Sequence, residues 1–260
     1  MKAAGIVLIA TLVAGCSAQP TAIAAFPAGA IADYQLGGAY PPPPGDTVVA
    51  RDSTESPEPG LYSICYVNGF QTQPGDEWPD DLVLLDPEGE RVVDPNWPDE
   101  NIIDISTAAK RAAALARLEP VIASCASKGF AAVEFDNLDS YTRSDAALAQ
   151  SDAITFATAL VSAAHARGLA AAQKNTGDLG TEGRDVVGFD FAVVEECARF
   201  DECSVYTDVY GDRVIDIEYV DDLPRPFAEI CADGGTPATT ILRDRGLQPA
   251  SSAEYVFEHC

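Results

Sequence analysis

Gly129-Phe130-Ala131-Ala132-Val133-Glu134-Phe135-Asp136-Asn137 is a short apolar run that carries two acids, at i and i+2. A strand sends alternate side chains to opposite faces, so Glu134 and Asp136 share one face while Val133 and Phe135 share the other. The run is bounded by a glycine and by polar residues, which is how a buried parallel strand reads. Seven more runs of this kind recur, at Ala30 to Gln35, Thr47 to Ala50, Leu61 to Val67, Leu169 to Gln173, Phe189 to Val194, Val214 to Tyr219 and Thr239 to Leu242. Helical patterns lie between several of them. Ser106 to Ser127 is rich in Ala and Leu with Ser106 placed as its cap, and Asp145 to Arg167 ends at Gly168. Alternating strands and helices predict a parallel α/β architecture.

Eight strands can form an open sheet or a closed barrel. No GxGxxG or GxxxxGKS/T follows any strand, which removes the usual nucleotide-binding reading of an open sheet. Polar residues instead gather where each run ends. Asp33, Tyr34 and Gln35 close the first, Asp52 follows the second, and Tyr66 and Asn68 close the third. Asp136 and Asn137 follow the fourth, Lys174 and Asn175 the fifth, and Glu195 the sixth; Glu218 and Tyr219 end the seventh, and Arg243 and Asp244 follow the eighth. A single (β/α)8 TIM barrel brings eight such ends onto one rim, where active sites of that fold sit. In such a barrel Val133 and Phe135 pack toward the helices and the two acids toward the axis. Asp136 is nearer the rim; Glu134 is a layer deeper and requires a partner, for which Lys174 on the next strand is suited.

Met1 and Lys2 precede an uncharged apolar stretch from Ala3 to Ala14, the pattern of a secretory signal peptide and too short for a membrane-spanning helix. Val13-Ala14-Gly15-Cys16 resembles the bacterial lipobox and marks Cys16 for lipidation. The expected organisation is therefore a signal peptide at 1–15, a lipid-anchored tether at 16–29 and the barrel at 30–260. The protein is expected to cross the cytoplasmic membrane and stay on the cell envelope, touching membrane through its anchor only. Six cysteines remain, and in an oxidising compartment an even number reads as disulfides. Six allow 15 connectivities; the favoured set pairs Cys197 with Cys203, Cys231 with Cys260 and Cys65 with Cys125. No CxxC occurs and only His165 and His259 supply imidazole, so zinc is a poor reading and no cofactor is implied. A formal charge of −25, from 41 acidic and 16 basic residues, repels nucleic acid and favours a cationic partner.

Two consecutive acids, Glu195 and Glu196, end the sixth run just before Cys197, and alternation alone does not choose between them. The segments DYQLGGAY (33–40), ICYVN (64–68), GFAAVEFDNLDSY (129–141), AHARGLAAAQKN (164–175), FDFAVVEECARFDEC (189–203) and IEYV (217–220) resemble glycoside-hydrolase family 114, the endo-α-1,4-polygalactosaminidase-like barrels. The family pattern around the second acid reads Asn-Glu-Glu/Gln-Cys, and here Val194 stands where Asn is common. The resemblance implies Asp136 and Glu195 as a catalytic pair acting on an amino-sugar polysaccharide. Such a pair would supply a general acid and a nucleophile or base, with Glu195 assigned the acid. Asn137, Lys174 and Asn175 would orient the pair, while Asp33, Tyr34, Gln35, Asp52, Tyr66, Glu218 and Tyr219 would meet sugar hydroxyls or an amine. A partly deacetylated, cationic amino-sugar polymer matches the acidic composition. The alternatives are a polysaccharide-binding barrel without turnover and another carbohydrate-active hydrolase or deacetylase. The last normally needs a metal held by Asp and His, which two histidines supply badly.

Overall fold

A computed structural model describes residues 22–260, so the signal segment and Cys16 lie outside the described residues. All eight apolar runs form strands: β1 (Ala32–Gln35), β2 (Val48–Asp52), β3 (Tyr62–Asn68), β4 (Ala132–Asp136), β5 (Ala170–Lys174), β6 (Phe191–Glu195), β7 (Val214–Tyr219) and β8 (Thr239–Arg243). They pair in parallel in chain order from β1 to β8. A short β9 (Phe257–His259) lies antiparallel on β8. The seam between β8 and β1 is joined by the fully buried Arg243, whose guanidinium donates to Asp33 Oδ1 at 2.9 Å and to the Tyr34 carbonyl. The same group donates to the carbonyls of Gln248 and Val256, tying in the segment that leads to β9.

The outer layer is uneven. Helices α1 (Ala108–Lys128), α2 (Gln150–His165), α3 (Cys203–Tyr210) and α4 (Phe227–Cys231) follow β3, β4, β6 and β7. Loops join β1 to β2 and β2 to β3, and β5 reaches β6 through the single π-helical turn Gly183–Val187. The barrel therefore keeps eight parallel strands with only part of the usual helical ring among the described residues.

Two helix starts differ from the sequence expectation. Thr107 rather than Ser106 caps α1, accepting from the Lys110 N–H at 3.2 Å, because the Ser106 hydroxyl is taken by Asp104 at 2.6 Å. α2 begins at Gln150 rather than Asp145, since Asp145 and Ala146 sit at φ of 49° and 62°, outside the right-handed helical region. Both helices stop where glycine supplies a positive φ, at Gly129 and shortly before Gly168.

Strand alternation divides the apolar side chains into two clusters. Val133 and Phe135 pack outward against α1 and α2, whereas Ala132, Ala172, Phe191 and Ile217 fill the axis. Alanines on β4 and β5 leave the room that Phe191 occupies, as close packing of a barrel interior requires. Phe26 stacks on Phe191 with ring centroids 4.9 Å apart and is buried, and Tyr62 donates to the Ala24 carbonyl. The end of the expected tether is thus folded into the barrel, and the domain begins before residue 30. Disulfides join Cys65 to Cys125, Cys197 to Cys203 and Cys231 to Cys260. The first pins β3 to α1, and the second closes the turn after β6.

Candidate active site

The axis-facing positions at the ends of β2 to β7 carry Asp52, Tyr66, Asp136, Lys174, Glu195 and Tyr219. Lys174 stands at the centre. Its buried ammonium lies 3.1 Å from Glu134 Oε1, 3.4 Å from Asp136 Oδ1 and 3.4 Å from Glu195 Oε2, and it donates to the Tyr34 hydroxyl at 3.2 Å. Asp136 is held from two more sides, by the Tyr66 hydroxyl at 2.6 Å and its neighbour's backbone N–H, that of Asn137, at 2.8 Å. Glu195 accepts from the Tyr219 hydroxyl and from Asn175 Nδ2 at 3.3 Å, while Asn175 Oδ1 accepts the Glu195 backbone N–H at 2.8 Å.

Burial works against a charge on Lys174, yet the carboxylates of Asp136 and Glu195 hold its pKa well above the ordinary lysine value, so it is an ammonium at any working pH. Glu134 is fully buried beneath it. Desolvation pushes Glu134 up to about 7 against the opposing pull of Lys174. Burial first, and the adjacent acids next, raise Tyr34, Tyr66 and Tyr219, which stay protonated and serve as hydrogen-bond donors.

The backbone leaves three of these strands abruptly. Asn137, Asn175 and Glu196, each one residue past Asp136, Lys174 and Glu195, have φ of 62°, 44° and 62°. Asn tolerates this left-handed conformation. Glu196 is held there by its backbone N–H to the Ile217 carbonyl at 2.9 Å and by Arg245, 2.9 Å from its carboxylate.

These groups open into a cleft of about 880 Å³. Seven acids line it against the three bases Arg143, Lys174 and Arg245, so its field favours a cationic ligand. Over residues 13–260 the sequence matches the model of glycoside-hydrolase family GH114. The protein belongs to family GH114. No curated protein matches the chain. Among solved structures, Aspergillus fumigatus Ega3 in complex with galactosamine is similar at 22% identity and a TM-score of 0.72, covering 95% of this chain and 100% of that one. The glycoside hydrolase domain of Pseudomonas aeruginosa PelA is similar at 15% identity and a TM-score of 0.51, covering 87% and 97%. Both share the barrel fold.

Of the residues singled out in sequence, the GH114 cleft gathers Tyr34, Asp52, Tyr66, Asp136, Asn137, Lys174, Asn175, Glu195 and Tyr219. Three do not reach it. Asp33 and Gln35 flank Tyr34 on β1 and so point the other way, where Gln35 Nε2 donates to Asp33 at 2.8 Å and Asp33 meets Arg243. Glu218 precedes Tyr219 on β7 and faces outward for the same reason. It accepts the Ala198 N–H at 2.8 Å beside Asp216, which accepts the Cys197 N–H at 3.2 Å. The pair braces the turn after Glu195 from behind. Asn68 sits behind the cleft wall, donating to Glu100 at 2.9 Å and accepting from Asn137 at 3.0 Å.

Sequence reading missed the wall built by the insertion between β3 and α1, which contributes Gln73, Asp94, Asn96, Trp97 and Glu100. It also missed Asp139, Arg143 and Arg245. The insertion has no strand or helix periodicity to announce it; the one available signal was a tryptophan in a Pro- and Asp-rich loop of a chain with two tryptophans.

Proposed function

We propose that this glycosidase hydrolyses an amino-sugar polysaccharide of the α-1,4-linked galactosamine type by endo cleavage, with Asp136 and Glu195 as its catalytic carboxylates. The observation that carries the reading is that both acids sit 3.4 Å from one ammonium, Lys174 Nζ, at the floor of an acidic cleft. That shared contact keeps the two facing carboxylate oxygens within about 6.8 Å of each other, close enough for both acids to act on one glycosidic bond.

Asp136, fixed by Tyr66, Lys174 and the Asn137 N–H, is the nucleophile that attacks the anomeric carbon. Glu195, on the longer and more exposed side chain, protonates the leaving oxygen and then activates water. Tyr219 and Asn175 orient it. An amino-sugar substrate also agrees with the galactosamine bound by Ega3, a structure of the same fold. The acidic cleft would draw in a partly deacetylated, cationic chain and place it against these acids. The signal and lipobox residues support export and anchoring on the cell envelope, where such a polymer is met.

The test is release of reducing sugar from galactosaminogalactan by the wild type and by Asp136→Asn and Glu195→Gln. Each variant is expected to keep its circular dichroism spectrum and to lose on the order of 10³-fold in kcat. Unchanged release from Asp136→Asn would sink the assignment, and acetate release without shorter products would replace hydrolysis with deacetylation.

A further inference from the structure

Trp97 stands out on the cleft wall. It leaves 60% of its surface exposed, whereas the chain's other tryptophan, Trp78, is buried under the Arg117 guanidinium 4.8 Å from its ring. A large aromatic surface held in water forfeits the gain of burial, and this one lines the cleft that holds Asp136 and Glu195, where a bound ligand would cover it. No other ring or cation stacks on Trp97 among the described residues.

The turn that presents this ring is rigid. Asp94 is buried at its base, accepts from the Asn96 N–H at 2.8 Å and from Gln71 Nε2 at 2.7 Å, and forms an ion pair with Arg143, whose Nε lies 2.6 Å away. The Trp97 N–H donates to the Asp94 carbonyl at 3.2 Å, and the Trp97 carbonyl accepts from Glu100 at 2.9 Å. Arg143 also donates to Asn137 Oδ1 at 3.2 Å, and Glu100 is tied through Asn68 to the same Asn137. The backbone that carries the indole is therefore tied to Asn137, the neighbour of Asp136, and the ring lines the same cleft.

We propose that Trp97 is the stacking platform of a distal subsite, which takes one hexosamine ring of a polymer whose scissile bond lies between Asp136 and Glu195; this rests on the glycosidase reading above. A galacto-configured ring has an axial C4 oxygen, which leaves the C–H groups at C3, C4 and C5 on one flat apolar face. That face matches the negative face of an indole, and a protonated amine on the ring adds to the attraction. Glu100 and Asn96 line the same cleft and supply acceptors for the ring's polar edge. The cleft volume of about 880 Å³ is that of a site for several sugar rings rather than one.

Two measurements test this. First, kcat and KM are determined for dimer and hexamer of α-1,4-galactosamine with wild type, Trp97→Ala and Trp97→Phe. The ratio of kcat/KM for hexamer over dimer is expected to fall about tenfold in Trp97→Ala, through KM, and to recover largely in Trp97→Phe. A merely structural role would lower both substrates alike and leave the ratio unchanged, which overturns the proposal. Second, tryptophan emission is followed as hexamer is added to Asp136→Asn, which does not turn over. An emission change that Trp97→Phe abolishes upholds the platform even where the wild type hydrolyses nothing, and so separates it from failure of the glycosidase reading. Emission unaltered at saturating hexamer overturns it.

Discussion

Replacing Lys174 with methionine removes the one ammonium shared by three carboxylates while keeping a chain of similar length. Glu134 would then retain only the Tyr34 hydroxyl, at 2.7 Å from Oε1, and its Oε2 has no hydrogen-bond partner to begin with. Deleting one partner of a buried ion pair costs about 3–5 kcal/mol, a large share of a typical stability of about 5–15 kcal/mol. The deficit depends on pH with a definite sign. Burial already raises Glu134 from 4.5 to about 7 with Lys174 opposing, and without Lys174 the value climbs further. A carboxyl whose folded pKa is raised holds its proton more tightly in the folded state, so its favourable contribution is complete below about 4.5 and is lost as pH rises through the folded value. Lys174→Met is therefore expected to unfold only slightly below the wild type at pH 5, with Glu134 neutral, and roughly 10 °C below it at pH 8. Thermal unfolding followed by circular dichroism at both pH values reads this directly. The double variant Lys174→Met/Glu134→Gln is expected to regain at least half of the loss at pH 8. Equal deficits at the two pH values, or a double variant no more stable than the single, would refute the account of Lys174 as a counter-charge.

Two further outcomes follow from separate features. Loop-closure entropy assigns the 60-residue separation of Cys65–Cys125 about 4 kcal/mol and the 6-residue separation of Cys197–Cys203 about 2 kcal/mol, so paired Cys→Ser variants should rank in that order in urea unfolding. Glu100, pushed up to about 7 chiefly by burial and then by the nearby Asp136 charge, gains its negative charge as pH rises through neutrality. With an N-trimethylated oligomer, whose charge does not titrate, KM should fall between pH 6 and 8 for the wild type, and Glu100→Gln should flatten that change.

The strands were legible because each buried one is a short apolar run with a sharp polar end, and the ladder of β1 to β8 falls where those runs lie. The favoured cysteine pairs were legible for a related reason, since closing the turn after β6 and securing Cys260 satisfied local needs. Misplacement of Asp33, Gln35 and Glu218 came from grouping consecutive residues at a strand end, although a two-residue period admits only every second one to the axis. Tyr34 and Tyr219 took the inward places. The same period chooses Glu195 once β6 is known to start at Phe191, because Phe191 and Val193 face the axis and Phe189, outside the strand, packs among the outer cluster. What stayed hidden was the insertion wall with Asp94, Trp97 and Glu100. Its shape depends on isolated bridges and on the buried Asp94–Arg143 pair, contacts between segments that no local pattern encodes.

The abrupt backbone exits at Asn137, Asn175 and Glu196 confine the chemistry to the barrel. Each loop begins one residue past a functional side chain, so the positions of Asp136, Lys174 and Glu195 are inherited from the strand ladder and owe little to loop length. Reaction and selectivity are in that sense separate modules: the segment 69–107 shapes the wall that a polymer meets, while the acids beneath it are kept in register by the strands.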